Sequence, residues 1–175
     1  MNRSILISRA AVFLPIILAA CNDRGADQSR TPAPPSSSDD SAFAQVQSRG
    51  RLAMGVDQYT STHRFEPLPD GGRITLARDS VDPTGAAQIR AHLEGIAAAF
   101  RRGNFTVPGF VHDRDVPGTA IMAARRSRIS YTADTVPNGG SLRIRSSDAT
   151  AISAIHQFLA FQRQDHRSPH VGSTH

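Results

Sequence analysis

Four short stretches of this chain alternate apolar with polar residues, and two longer stretches place apolar residues every three or four positions. Tyr59, Ser61, His63 and Phe65 share one face of an extended segment, and Ile74 and Leu76 share a face of the next. Ile129, Tyr131 and Ala133, then Leu142 and Ile144, repeat the arrangement. Between the members of each pair stands a turn sequence, Pro69-Asp70-Gly71-Gly72 in the first and Pro137-Asn138-Gly139-Gly140 in the second. Asp-Gly and Asn-Gly favour tight hairpins, because Asn and Gly tolerate positive φ at little cost. Each hairpin leads into a helical pattern. Ile89, Leu93, Ile96 and Phe100 line one face of a helix expected over residues 83–102, and Ile152, Ile155 and Leu159 line another over 149–166. Asp82-Pro83 and Asp148 supply the helix starts, and Gly103-Asn104 ends the first helix.

The order ββα, linker, ββα predicts an α+β domain in which duplicated ββα units form a four-stranded antiparallel sheet with two helices on one face. The hydrophobic pattern does not say how the two units pair. The linker, 105–126, carries turn signals at Thr106-Val107-Pro108-Gly109 and Val116-Pro117-Gly118, and a short helical pattern from Thr119 to Arg126. His112, Asp113 and Met122 lie in it, and loops held by rigid elements often carry function.

Ahead of the domain the pattern changes. Arg3 and Arg9 flank a positive start, Ala10 to Ala20 is an apolar run too short to span a bilayer, and Leu18-Ala19-Ala20-Cys21 follows. This resembles the lipobox of bacterial lipoproteins, which implies removal of residues 1–20 and lipidation of Cys21. Such a chain is exported and lipid-anchored to a bacterial membrane on the periplasmic or extracytoplasmic side, and several acyl chains hold it there. Thr31 to Ser41 is Pro/Ser-rich, so residues 21–55 are expected to be a disordered tether. The domain is then 56–167, and 168–175 a flexible tail.

Composition narrows the partners. All 20 basic residues are Arg, against 15 acids; loss of Arg3 and Arg9 with the signal leaves an excess of +3. So small an excess on an exported chain speaks against nucleic acid. Arg101-Arg102 and Arg125-Arg126-Ser127-Arg128 are local clusters that solvated element ends account for. The chain has one cysteine, so it forms no internal disulfide and no thiolate metal cluster.

Candidate chemistry comes from seven histidines. His63 shares a strand face with Phe65. His92 lies about 60° from Ile89 around its helix, while His156 and His166 lie about 40° to either side of Ile152. His156 and His166 are ~15 Å apart along that helix and cannot share one metal, but one of them could meet His63 or His92 across the sheet–helix interface. Imidazole is the commonest protein ligand for transition metals. His63, His92, His112, His156 and His166, with the thioether of Met122, are therefore candidate ligands for Cu, Zn or Ni. Buried hydrogen-bonded histidines that organise the fold, and acid–base chemistry, are the competing readings. His170 and His175 belong to the tail. No nucleophile elbow, P-loop or dinucleotide fingerprint occurs.

A wider likeness covers residues 56–167. His63-Arg64-Phe65, Pro69-Asp70-Gly71-Gly72-Arg73-Ile74, Ile89-Arg90-Ala91-His92-Leu93, Phe110-Val111-His112, Val116-Pro117-Gly118 and Ile155-His156-Gln157-Phe158-Leu159 through Asp165-His166 resemble a family of small bacterial proteins without an established activity. Some of its members are labelled aspartate carbamoyltransferase. That reaction needs a site for two anionic substrates on a two-domain fold, and this exported chain is too short for one. Ser61-Thr62-His63-Arg64 lies on a strand and not at the helix N-terminus that would bind phosphate. The expectation is a membrane-anchored envelope lipoprotein that binds a metal or small ligand through inward-facing histidines. The alternative is a non-catalytic structural or interaction lipoprotein that meets another envelope protein.

Overall fold

A computed structural model describes residues 37–169; the signal segment, Cys21, the Pro-rich run and the last six residues lie outside them. The elements run α1 (Ser37–Met54), β1 (Ser61–Leu68), β2 (Gly71–Arg78), α2 (Pro83–Arg101), α3 (Thr106–His112), α4 (Thr119–Ala124), β3 (Ile129–Val136), β4 (Gly139–Ser146) and α5 (Ala149–Asp165). The fold is α+β, with one four-stranded antiparallel sheet in the order β1-β2-β4-β3.

The two hairpins close through two-residue turns, Pro69-Asp70 and Pro137-Asn138. Asn138 takes φ 55° and Gly71 φ 136°, the conformations that tight hairpins require. The second strands of the hairpins meet in the middle of the sheet, where Ile74 pairs with Leu142 and Gly71 with Arg145. Because Ile74 and Leu142 hold the same place in their hairpins, the pairing is symmetric about them. A pseudo-two-fold axis therefore passes through this pair. Two backbone bonds repeat the symmetry: the Arg78 amide donates to the Asn138 carbonyl, and the Ser146 amide to the Asp70 carbonyl, both at 2.9 Å.

The helices follow the same rule. Asp82 and Asp148 cap α2 and α5, each accepting from an amide three residues on, Gly85 and Ala151. Each helix crosses to the other unit's strands: α2 packs on β3 and β4, and α5 on β1 and β2. The core between sheet and helices holds Ile89, Leu93, Phe100, Leu142, Ile144, Ile155, Phe158 and Leu159, all at 2% exposure or less. Burying each such side chain contributes ~1.5–3 kcal/mol.

Two expectations from the sequence are corrected here. Residues 37–54 form α1 where the Ser/Asp-rich composition suggested tether. Asp39 and Asp40 favour the start of the helix through its dipole, and Val46, Gln47, Gly50 and Met54 bury one stripe of it. The helix survives on tertiary contacts: Arg49 pairs with Asp113 at 2.8 Å, Arg167 pairs with Asp40 at 2.9 Å and lies over the Phe43 ring. Thr106 to Gly109 is not a turn but the start of α3. Pro108 stands in its first turn, where a proline needs no amide partner, and the Asn104 side chain accepts from the Thr106 amide at 2.9 Å. The short helix from Thr119 is present as α4.

Candidate functional site

Beneath α1, between the sheet and helices α2, α3 and α5, lies a cavity of about 90 Å³. Its floor is Leu93, Ile96, Phe100 and Phe158; His63, His92, His112, His166, Gln58 and Gln162 provide its polar groups. A polar cavity needs only ~10–15 Å³ to hold one water, so there is room for a small molecule. Four of the five candidate histidines share this one cavity.

Each arrives by a different route. His63 comes from β1 because strand alternation puts it on the inner face with Phe65. Its ring centre is 5.1 Å from that of His166, which follows the last turn of α5. His112 ends α3, with its ring centre 5.2 Å from that of His166. His92 is partly buried on α2 and donates a hydrogen bond to the backbone of Ala53 in α1.

Hydrogen bonding divides the four. His112 is fully engaged: Nδ1 meets the Asp165 carboxylate, whose other oxygen binds Arg114, and Nε2 lies 3.0 Å from Gln162 Oε1. Asp165 therefore fixes the imidazole orientation. His63 Nε2, His166 Nδ1 and Gln162 Nε2 are buried without any partner. An unsatisfied buried polar atom costs about 1–3 kcal/mol.

Burial governs the electrostatics. It pushes the His63 imidazole down to about 4, against a smaller opposing pull from Asp79. His166 is lowered well below its ordinary value, first by burial and then by His63 and His112. His92 is lowered by burial as well. A charge inside this apolar wall has little solvent to stabilise it.

The remaining candidates lie elsewhere. His156 sits at the rim of α5 and binds the Leu68 carbonyl at 2.9 Å through Nε2. The buried face of α5 centres on Ile155, Phe158 and Leu159 and leaves Ile152 half-buried, so the phase drawn from Ile152 placed His156 too far inward. Met122 is fully buried in α4, against α5, and does not line the cavity. The metal-ligand set is not assembled: among the described residues no group of three His, Cys, Asp or Glu side chains is arranged to hold a metal ion. The rings of His63, His112 and His166 meet edge to face, and both nitrogens of His112 are already engaged.

Sequence reasoning missed Gln58, Gln162 and the contribution of α1. Gln162 was legible in principle, seven residues after Ile155 on the buried face of α5. Gln58 was not, because its place depends on Gly50: a methyl group there would stand 2.8 Å from Gln58 Oε1. Compared with known protein families, curated proteins and solved structures, the chain matches none.

Proposed function

We propose that this chain is a lipid-anchored envelope protein that binds a small ligand in the cavity lined by His63, His92, His112 and His166. The observation that carries the binding reading is the pair of unpartnered ring nitrogens, His63 Nε2 and His166 Nδ1, on two rings whose centres lie 5.1 Å apart in the wall of one cavity. A core selected only for stability sheds such groups. Here two of them remain together, on rings that line a cavity.

Binding fits better than acid–base catalysis. A general acid or base works best with its pKa near the working pH, and burial has carried His63 and His166 away from that range. Docking of another envelope protein on the open sheet face has less support. That face presents Thr62, Arg64, Arg73, Thr132, Asp134 and Arg145, and offers no contiguous apolar patch of the kind that marks protein interfaces.

Thermal-shift screening of the purified protein against a library of small fragments tests the binding. Fragments should raise Tm in the native protein and fail to do so in His63→Phe/His166→Phe, where two phenyl rings occupy the polar end of the cavity. A library that gives no such difference would overturn the reading. The anchor rests on Leu18-Ala19-Ala20-Cys21. Labelled palmitate should enter the protein in bacteria, and Cys21→Ser should abolish both the label and membrane fractionation. Retention of either by Cys21→Ser would remove the anchor while leaving the cavity untouched.

A further inference from the structure

We infer that the ligand is a small neutral amphiphile: a hydroxyl-bearing molecule smaller than benzene, with its hydroxyl at the His63–His166 end of the cavity and its hydrocarbon tail on Ile96, Phe100 and Phe158. This rests on the reading of the cavity as a ligand site, and three features of the wall give the class.

The first is orientation. His63, His166 and Gln58 line both the cavity and an outer groove formed by Phe43, Gln47, Tyr59 and Arg167. The polar end therefore faces the surface, and the end at Phe100 and Phe158 is closed and apolar. A ligand enters with its tail inward and its polar head at the mouth.

The second is charge. No Arg, Asp or Glu lines the cavity among the described residues. The nearby Asp165 is bound by His112 and Arg114, and Arg167 by Asp40 and the backbone of Asp39. A charged head would enter without a counter-ion, which is strongly unfavourable in such surroundings. The head is neutral. A hydroxyl carries both a donor and acceptor lone pairs, so it can serve either ring whichever tautomer that ring holds, which an ether or a halide cannot.

The third is size. A dry apolar cavity of about 150 Å³ holds benzene, and this one measures about 90 Å³. Scaled by volume from the six non-hydrogen atoms of benzene, that limits the ligand to about four.

The test compares heads on one tail. The purified protein, with ¹⁵N in its histidine rings, is titrated with 1-propanol, propionate and n-propylammonium, and long-range ¹H–¹⁵N spectra follow each ring. 1-Propanol should shift the His63 and His166 ring nitrogens saturably, leave His156 unmoved, and bind at least ~30-fold more tightly than either ion. In His63→Phe/His166→Phe the side-chain signals of Ile96 should stop responding to it. Tighter binding of propionate or n-propylammonium at the same rings would overturn the ligand class and leave the cavity reading standing. Saturable fragment binding that spares His63 and His166 would also overturn the class. Absence of any saturable shift, together with a failed fragment screen, would remove the cavity reading itself.

Discussion

The two halves of this sheet are built alike and finished differently. Tyr131 on β3 and His63 on β1 hold the same place in their hairpins, and Phe100 on α2 and His166 after α5 hold the same place relative to their helix caps. In the β3–β4 half these positions form an aromatic cluster: Phe100 is 5.7 Å from Tyr131, 5.9 Å from Phe158 and stacked on Phe105 at 4.2 Å. In the β1–β2 half the same contact is a pair of neutral imidazoles 5.1 Å apart with unpartnered nitrogens. The aromatic half leaves one buried polar atom unpartnered, the Tyr131 hydroxyl, where the histidine half leaves two ring nitrogens. The histidine half therefore keeps more unsatisfied polar surface at a cost in stability, a pattern expected where a site takes precedence over the core.

The comparison can be broken at its equivalent positions. Phe100→Ala should lose ~3–5 kcal/mol in chemical denaturation, the ordinary loss for a buried phenyl group. His166→Ala should lose less than ~1 kcal/mol, since it also removes an unsatisfied buried nitrogen. Equal losses would mean the histidine half is packed as tightly as its counterpart.

Acid separates the halves next. The unfolded chain protonates His63 near 6.5 and the folded protein only near 4, so between these values the unfolded state binds more protons. Stability is therefore complete above pH 6.5 and falls as pH drops toward 4. His63 alone accounts for about 3 kcal/mol at 1.36 kcal/mol per unit. His92 and His166 shift in the same direction and add to the slope. Denaturation between pH 7 and 4 checks this, and His63→Phe should flatten the curve. A flat curve in the native protein would show that His63 is solvated.

Glycine positions sharpen the comparison further. A methyl group on Gly72 would stand 2.1 Å from the Leu159 side chain and 2.8 Å from the Glu66 carbonyl oxygen, whereas on Gly140 its closest neighbour is Leu93 at 3.1 Å. Gly72→Ala should cost ~1–3 kcal/mol by overpacking and Gly140→Ala less than ~1 kcal/mol, read as denaturation midpoints. The smallest effect is a gain: His63→Phe/His166→Phe, which copies the aromatic half, should add ~1–2 kcal/mol. A loss would show that the imidazoles are satisfied in solution.

Pattern and turn chemistry in the sequence determined the two hairpins, the caps at Asp82 and Asp148, both long helices and the class of the sheet, because each depends on residues close along the chain. The inward phase of His63 followed from one neighbour, Phe65, and proved correct. The choice between His156 and His166 did not follow, since both are half-buried and only the packing of α5 brings His166 beside His63 while His156 meets the Leu68 carbonyl. Only the tertiary structure decided that α2 and α5 cross to the opposite strands, that a Ser/Asp-rich segment folds as α1, and that His112 comes to lie beside His166. Those outcomes depend on contacts between distant residues, such as Arg49 with Asp113 and His112 with Asp165. Their energy appears only when the chain has closed, so local periodicity carries no trace of it.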